Sequence, residues 1–382
     1  MKSIDGQPSW RIASRDVEAY VTVNGGHLAP VTFDRRGMKI RPYSIAPWGR
    51  DRSAPRSLPM IIRALRGDFF CMPFGGNEQP FGKERFPVHG ETANAKWKLQ
   101  SQSCLGGVSD LRLTLRTKIR TGQVQKLIRL IDGHNAVYCR HKITEASGPM
   151  NFGHHAMLKF PDEAGSGVVS TSPFVFGQVY LGAFEKPEEG GYSALKRAAE
   201  FTSLEAVPGL DGSAVDVTRY PARRGFEELL MVINDPKVPL AWTAATFPKE
   251  RYAWFALKDP AVLRGTILWV SNGGRHYAPW SGRHINVMGL EDVTGHFHDG
   301  IAASAAPDNS LRRRGYPTSV QLSPDFATVV NYVMAIAKIP VGFDRVERIE
   351  PSDDGKSVTL ISRTGKRATA PINVDFVRNA DH

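Results

Sequence analysis

The chain has 382 residues, of which 41% are hydrophobic and 23% are charged, with a net charge of +11. This balance is typical of a folded globular protein and excludes a disordered chain, and the length is enough to bury a sizeable core. The basic residues are scattered, and their densest run, Arg312 to Arg314, is short. A solvated basic surface is therefore favoured over a nucleic-acid groove, and no nucleic-acid partner is expected.

The three cysteines, Cys71, Cys104 and Cys139, are too few and too widely spaced for a disulfide scaffold or a zinc ribbon. Free thiols fit a reducing compartment. The first residues lack the apolar run of a signal peptide, and no apolar stretch reaches the length that spans a membrane. We therefore expect a cytoplasmic protein without a membrane partner.

Alternation of hydrophobic and polar residues with a period of two predicts most of the secondary structure. Residues 17–33 predict a hairpin that turns at Gly25-Gly26, and "DLRLTLRTKI" at 110–119 predicts a half-buried antiparallel strand. A second hairpin is predicted over 124–143, with Asp132-Gly133 as its turn. A third hairpin is predicted near the end of the chain, about Thr364-Gly365.

Two stretches predict helices. Residues Leu58 to Gly67 predict a short helix that ends at its glycine. The stretch "SPDFATVVNYVMAIAKI" predicts a longer one, with Ser323 as N-cap and Pro324 at the first helical position. Many short strands, few helices and no linker rich in proline or serine indicate one large all-β antiparallel sandwich domain over residues 1–382.

Three stretches far apart in the chain carry the candidate chemistry. They are "PVHGETANAKW" at 87–97, "NFGHHAMLKF" at 151–160 and "INVMGLEDVTG" at 285–295. His154 and His155 are neighbours in a predicted strand, so only one of them can face a given cleft. Glu291 continues the side of its strand that carries Ile285 and Val287, so its carboxylate is either buried with partners or faces a pocket. Imidazole and carboxylate groups suit proton transfer near neutral pH.

Each of these residues also has an ordinary structural interpretation. His89 can be a turn residue bonded to backbone, and His155 a buried strand histidine. Glu291 can be half of an ion pair with Arg275 or Arg283. Trp280, in a stretch rich in glycine and proline, is a core candidate that could also stack on the apolar face of a sugar.

A rival signal is the sequence "HFH", in which His296 and His298 would point the same way on a strand and could bind a metal. The glutamate and the further histidine that a cupin-like metal site needs do not follow. We therefore expect no metal.

In order along the chain, the three stretches, with "FCMPFGG" at 70–76 ahead of the first, resemble the signature blocks of the aldose 1-epimerase (galactose mutarotase-like) superfamily. These blocks are a Pro-Phe-Gly turn followed by His-Gly and a tryptophan, a strand ending in histidine, and a late strand carrying a glutamate. The resemblance runs from about Val17 to about Phe297. It implies a large antiparallel β-supersandwich with a few short helices, a sugar cleft on a concave sheet, and no cofactor. The chain departs from the family at Met157, where an aromatic residue is usual, and at His154-His155, where the family has Asn-His.

The resemblance implies that the chain interconverts the α and β anomers of an aldose or hexose phosphate. Glu291 would be the general base, His155 the general acid, and His89 would hydrogen-bond near the ring oxygen. Gly90 would let the backbone turn close to the sugar. A non-catalytic carbohydrate-binding protein and a related sugar isomerase or lyase are the alternatives.

The implied partner is a small sugar or sugar phosphate, and three further residues are expected to bind it. Arg66 would help to hold the ring, as an arginine does in the hexose-phosphate branch of the family, while His154 and Trp280 complete the expected binding residues. Compared with the family, the chain is expected to carry insertions near residues 44–67 and an extended C-terminal part after about Asp299.

Overall fold

The computed structural model describes residues 1–51 and 57–378. Strands dominate these residues, and the strands of the large sheets pair antiparallel. In chain order the strands are β1 Lys2–Ile4, β2 Gln7–Ala13, β3 Glu18–Thr22, β4 Leu28–Thr32, β5 Phe70–Cys71, β6 Lys98–Leu105, β7 Val108–Thr117, β8 Gly122–Ile131, β9 Ala136–Thr144, β10 Gly148–Met150, β11 Phe152–Lys159, β12 Gly167–Thr171, β13 Phe174–Val179, β14 Glu200–Phe201, β15 Val207–Pro208, β16 Ala214–Val215, β17 Arg219–Tyr220, β18 Glu227–Asn234, β19 Ala241–Phe247, β20 Tyr252–Lys258, β21 Gly265–Ser271, β22 Val287–Thr294, β23 Val320–Leu322, β24 Thr328–Lys338, β25 Val346–Pro351, β26 Ser357–Ser362 and β27 Arg367–Pro371.

The helices are short. They are α1 Met60–Ala64, α2 Ile301–Ala305 and α3 Asp375–Arg378, with 3-10 turns at Pro47–Arg50, Glu91–Ala93, Pro187–Glu189 and Arg312–Arg314. Among the described residues, no helix is long and apolar enough to cross a membrane.

Two large sheets form the body of the protein. One has nine strands in the order β17-β12-β19-β20-β24-β9-β8-β7-β6, and the other has seven in the order β14-β13-β18-β21-β22-β11-β5. The main hydrophobic core lies between them, where Leu158 and Leu290 of the seven-stranded sheet share one cluster with Trp254 and Met334 of the nine-stranded sheet. Burial of large apolar side chains of this kind is the dominant stabilising contribution in such a sandwich.

The nine-stranded sheet is also covered on its other face. The three-stranded sheet β25-β26-β27 and helix α3 form a second core with it, in which Leu360 and Phe376 lie with Tyr138, Phe255 and Val333. The central strands β19, β20 and β24 are therefore buried on both faces.

The helix predicted from Ser323 is wrong: residues Thr328–Lys338 form strand β24, which pairs with β20 and β9. A strand that is buried on both faces has apolar residues in succession, so it lacks the alternation that marks a half-buried strand. Phe326, which lies within the predicted helix, is 77% exposed.

The other local predictions mostly hold. The three hairpins are confirmed as β3–β4, β8–β9 and β26–β27, and 110–119 lies largely in strand β7. The helix predicted for Leu58 to Gly67 is present only as α1. Residues 52–56 of the insertion expected near 44–67 lie outside the described residues. The part after Asp299 supplies β24 and the sheet β25-β26-β27.

Candidate active site

A cavity of about 330 Å³ opens on the face of the seven-stranded sheet that points away from the main core. Trp269 on β21 and Leu229 on β18 form part of its wall. Its charged and imidazole side chains are Glu78, His89, His155, Arg275, Glu291 and His298. A concave apolar wall with a few convergent polar groups is the usual form of a small-molecule site.

His155 on β11 and Glu291 on β22 lie directly opposite each other in the strand register. Residues paired in this way project to the same face of an antiparallel sheet. The His155 Nε2 and Glu291 Oε1 atoms are 3.2 Å apart, and the side chains are only 5% and 4% exposed. The predicted acid and base therefore form one contact on the cavity wall.

The absence of a side chain at Gly289 leaves space for the Glu291 carboxylate. The two residues are on the same face of β22, and a Cβ atom at Gly289 would lie 2.6 Å from Glu291 Oε1 and 3.1 Å from Trp269 Cβ. Both distances are too short for a side chain to fit without movement. The glycine thus allows the carboxylate to fold back along its own strand.

His89 reaches the same cavity from a turn. Its backbone N–H donates to the Gly75 carbonyl at 2.7 Å, and the Gly75 N–H donates to its Nδ1 at 3.3 Å. Because Nδ1 accepts a hydrogen bond, the neutral ring carries its proton on Nε2. The rings of His89 and His155 meet edge to face, with centroids 4.9 Å apart. The three predicted catalytic residues therefore converge.

Glycine is needed at position 90 for a different reason from the one that the resemblance implied. Its φ is 73°, and a Cβ atom there would lie 2.0 Å from the Met72 carbonyl oxygen. The close approach that requires glycine is thus to the segment at Met72, within the protein, which fixes the turn that carries His89.

Burial controls the protonation of the site. It lowers the pKa of His155 to about 3 and raises the pKa of Glu291 well above its ordinary value, since it disfavours the charged form of each. It also lowers the pKa of His89, with His155 and His298 as further causes. Burial therefore favours the neutral forms of both side chains, in which the imidazole and the carboxyl share one proton.

Arg275 is a cation of the cavity wall that sequence reasoning considered only as an ion-pair partner of Glu291. Its guanidinium carbon lies 4.6 Å from the ring centre of Trp280 and 5.1 Å from that of Trp269, and its Nε donates to Glu185 at 2.6 Å. Trp280 lines the cavity as expected, but it is only 5% exposed and packs against Arg275. The signal for Arg275 was its place in the same glycine- and proline-rich stretch as Trp280.

His154 corrects one expectation, because it does not line the cavity. It projects from the other face of β11 into the main core, where it is fully buried, and its Nδ1 is 2.8 Å from Asp68 Oδ2. Its ring stacks on Tyr332 with centroids 4.2 Å apart. The alternation of side chains along a strand thus separates the two histidines and leaves His155 as the one at the cavity.

Asp292 lies beside His154 in register and anchors a polar cluster in the core. Its carboxylate accepts hydrogen bonds from Lys258 Nζ at 2.5 Å, Thr266 Oγ1 at 2.7 Å and Tyr332 Oη at 2.7 Å. A buried charge is tolerated only when it is paired and hydrogen-bonded in this way. The strand pair that holds the cavity residues is therefore tied to the nine-stranded sheet from behind.

Arg66 corrects a second expectation. It is fully buried and does not line the cavity. Its Nη1 and Nη2 atoms donate to the carbonyls of Ile4 and Asp5, each at 2.8 Å, and its Nε donates to the Ala64 carbonyl at 3.1 Å. The guanidinium thus ties the N-terminal strands to the α1 segment.

The two histidines of "HFH" do not share one side of a strand, since β22 ends at Thr294 and Phe297 has a φ of 44°. His296 Nδ1 lies 2.8 Å from Asp299 Oδ2 and its Nε2 2.9 Å from Ser310 Oγ, whereas His298 lines the cavity. Within residues 1–51 and 57–378, no group of three or more His, Cys, Asp or Glu side chains is arranged to hold a metal ion.

Comparison with known proteins identifies the fold. No protein-family model matches the sequence, and no curated protein matches it. A galactose mutarotase-like protein from Clostridium acetobutylicum matches in structure with a TM-score of 0.57 and 12% identity, covering 88% of this chain and 98% of that one. A galactose mutarotase related enzyme from Lactobacillus acidophilus matches with a TM-score of 0.54 and 11% identity, covering 86% and 97%. The Slr1438 protein from Synechocystis matches with a TM-score of 0.58 and 14% identity, covering 88% and 98%. These matches confirm the predicted all-β, galactose mutarotase-like fold.

Proposed function

We propose that this protein is an aldose 1-epimerase-like mutarotase, which interconverts the α and β anomers of an aldose or hexose phosphate. The observation that carries the proposal is the 3.2 Å contact between His155 and Glu291 on the wall of a cavity that His89 also lines. Anomer exchange needs one group that takes a proton and one that gives a proton, placed around a single pyranose ring. Paired imidazole and carboxylate groups provide both.

In the proposed reaction, the Glu291 carboxylate removes the proton from the anomeric hydroxyl. The oxygen lone pair then forms the C1=O1 double bond while the C1–O5 bond breaks, and O5 takes a proton from His155. Rotation about C1–C2 presents the other face of the aldehyde. Ring closure follows with both proton transfers reversed, so the protein returns to its starting state.

His89 would support the ring oxygen. Its Nε2–H is the free donor, because Gly75 already occupies Nδ1. A neutral donor that is fixed in advance stabilises charge that develops on O5 without reorganising during the reaction.

The position of the proton shared by His155 and Glu291 decides whether the two side chains can start the proposed reaction. Burial favours a neutral His155 and a protonated Glu291. Transfer of this proton across the 3.2 Å contact gives imidazolium and carboxylate, which is the acid and base arrangement that the reaction starts from. Polar sugar hydroxyls in the cavity favour the charged pair, since they replace some of the lost solvation.

The same proposal includes a sugar as the partner and the cytoplasm as the location. Cys71, Cys104 and Cys139 are all free in the structure, as a reducing compartment would keep them.

The test is the rate of anomer exchange, followed by polarimetry or by NMR, for glucose, galactose and their 6-phosphates. The wild type should accelerate exchange of at least one of these sugars. Glu291→Gln should abolish the acceleration while circular dichroism and the unfolding temperature stay near those of the wild type. Glu228→Gln is the matched control, because this glutamate is buried on the other face of β18 and does not line the cavity.

Two outcomes would contradict the proposal. Sugar binding without accelerated exchange would favour the non-catalytic carbohydrate-binding alternative. Full activity in Glu291→Gln would show that another group is the base.

A further inference from the structure

His298 lies in the cavity with the proposed catalytic residues, although sequence reasoning considered it only as a metal ligand. It lines the same cavity as His89, His155 and Glu291, and its side chain is 33% exposed. Its ring packs edge to face on Tyr180, with centroids 4.7 Å apart. Burial lowers the pKa of His298 to about 4, so the ring is neutral near pH 7.

The nitrogen atoms of the His298 ring are not used by the neighbouring carboxylate. Asp299 Oδ1 is 3.9 Å from His298 Nδ1, which is beyond hydrogen-bond distance. That carboxylate instead accepts from Tyr180 Oη at 2.7 Å and contacts His296 Nδ1 at 2.8 Å. Among the described residues, His298 Nδ1 has no hydrogen-bond partner, but this atom is buried and does not face the cavity opening. Of the two ring nitrogens, only Nε2 can therefore meet a molecule in the cavity, either as donor or as acceptor of a neutral imidazole.

The backbone of His298 is held by the same turn that holds His89. Its carbonyl accepts the Gly76 N–H at 2.5 Å, while the preceding residue, Gly75, donates to His89 Nδ1 at 3.3 Å. A Cβ atom on Gly75 would lie 2.4 Å from the His298 carbonyl oxygen, so this approach requires glycine.

Asn77 completes this connection. Its Nδ2 donates to the Pro87 carbonyl at 3.2 Å, and its Oδ1 accepts the Ile301 N–H at 2.9 Å. The two imidazoles are thus parts of one hydrogen-bonded frame, which fixes their relative position before any ligand enters.

We propose that His298 is a substrate-binding residue, which hydrogen-bonds a hydroxyl of the sugar and so contributes to its affinity for the cavity that holds His155 and Glu291. This inference rests on the proposed function. A hydroxyl can both donate and accept, so it suits a neutral imidazole, and a site that pairs a specific hydroxyl discriminates strongly against sugars that lack it. The substrate class is therefore an aldose with a free hydroxyl at the position that faces His298.

The test uses His298→Phe, which keeps a ring for the contacts with Tyr180 and Phe184 but removes both nitrogens. KM for the preferred aldose should rise about tenfold, while kcat changes by less than about threefold, as expected for loss of binding shared by ground state and transition state. His298→Gln should restore part of the affinity. His276→Phe is the control, because this histidine is exposed and does not line the cavity.

A second measurement separates this inference from the proposed catalysis. Sugar affinity is measured by calorimetry in Glu291→Gln, with and without His298→Phe, for the parent aldose and its set of single-deoxy analogues. One deoxy analogue should bind equally well to both variants, and that analogue identifies the hydroxyl that His298 contacts. If sugars bind but exchange is never accelerated, the proposed function fails while this comparison still decides the role of His298.

Two results would overturn the inference: an unchanged KM and affinity in His298→Phe, or no binding of any aldose tested to the Glu291→Gln protein. A loss of affinity that is equal for the parent aldose and all the analogues would also overturn it, since no single hydroxyl would then be involved.

Discussion

His154 and Asp292 lie opposite each other in the register of β11 and β22, on the reverse side of the pair formed by His155 and Glu291. The same two strands thus present an imidazole and a carboxyl group to the cavity and a hydrogen-bonded polar cluster to the core. Each cavity residue is the chain neighbour of a core residue that is fully buried. The stability of the core cluster and the geometry of the cavity pair are therefore linked through two peptide bonds.

Lys258→Met should strongly destabilise the protein. It removes the cation that is paired with Asp292 in the core, where both side chains are 0% exposed. Loss of one partner of a buried ion pair typically costs about 3–5 kcal/mol, because the other charge is left uncompensated. Denaturant unfolding measures the change. Lys249→Met is the control, since its ion pair with Glu163 is exposed and should contribute little; equal effects of the two substitutions would contradict the prediction.

Gly289→Ala should lower kcat for anomer exchange, and this loss should exceed what any loss of folded protein explains. The new Cβ would lie 2.6 Å from Glu291 Oε1, so the carboxylate must leave its contact with His155. We expect a loss of at least about tenfold in the rate of anomer exchange, because small misplacements of catalytic groups can cost up to about a hundredfold. Gly265→Ala on β21 is the control, since its Cβ would be crowded in the same way, at 2.5 Å from Met231 Cε and 2.9 Å from the Val232 carbonyl oxygen, but contacts neither His155 nor Glu291. Equal activity in the two variants would argue against the role of the contact.

Arg66→Met should reduce stability without changing KM. The substitution leaves the carbonyls of Ile4, Asp5 and Ala64 without these donors. A buried unsatisfied group costs about 1–3 kcal/mol, which applies in full to Ala64 and in part to the half-buried Ile4 and Asp5. Thermal unfolding and anomer-exchange kinetics on the folded fraction separate the two effects. A rise in KM at unchanged stability would instead support the sugar-binding role that the resemblance implied.

The protein should lose stability as the pH falls below about 6.5, because buried histidines resist protonation. Burial lowers the pKa of His27, His155 and His284 to about 3 and that of His298 to about 4. In this range the unfolded chain takes up protons that the folded chain does not, so each histidine costs about 1.4 kcal/mol per pH unit.

Glu227 acts in the opposite direction. Burial raises its pKa from 4.5 to about 7, so its contribution to stability is lost as the pH rises through that interval. Burial also raises the pKa of Glu228 and Glu291, which act in the same direction as Glu227. It lowers the pKa of His89, His134 and His141 as well, so seven histidines against three carboxyls still give a net loss on acidification. Denaturant unfolding at pH 7 and pH 5.5 measures the slope, and stability that stays constant or increases at pH 5.5 would contradict the prediction.

Sequence patterns predicted the half-buried strands because one face of each meets water. They failed at β24, since burial on both faces removes the alternation that distinguishes a strand from a helix. For the site, the resemblance pointed to His89, His155 and Glu291, and the structure brings these together. The same reasoning could not place Arg66, because spacing along the chain does not show which carbonyls a guanidinium reaches.

Arg275 and His298 were missed as cavity residues for a related reason. Both lie on connections between or after strands, where side chains follow no period. Their direction depends on contacts with distant residues such as Glu185 and Gly76. Only the folded backbone shows that these connections close over one cavity.

The division of labour between strands and connections has an evolutionary consequence. His155 and Glu291 lie on two adjacent paired strands, β11 and β22, whereas His89, Arg275 and His298 are carried by loops that line the same cavity. Loops tolerate insertion and substitution far better than paired strands do. Substitutions in these loops can therefore change which ligand the cavity binds during evolution, while the strands keep His155 and Glu291 in place.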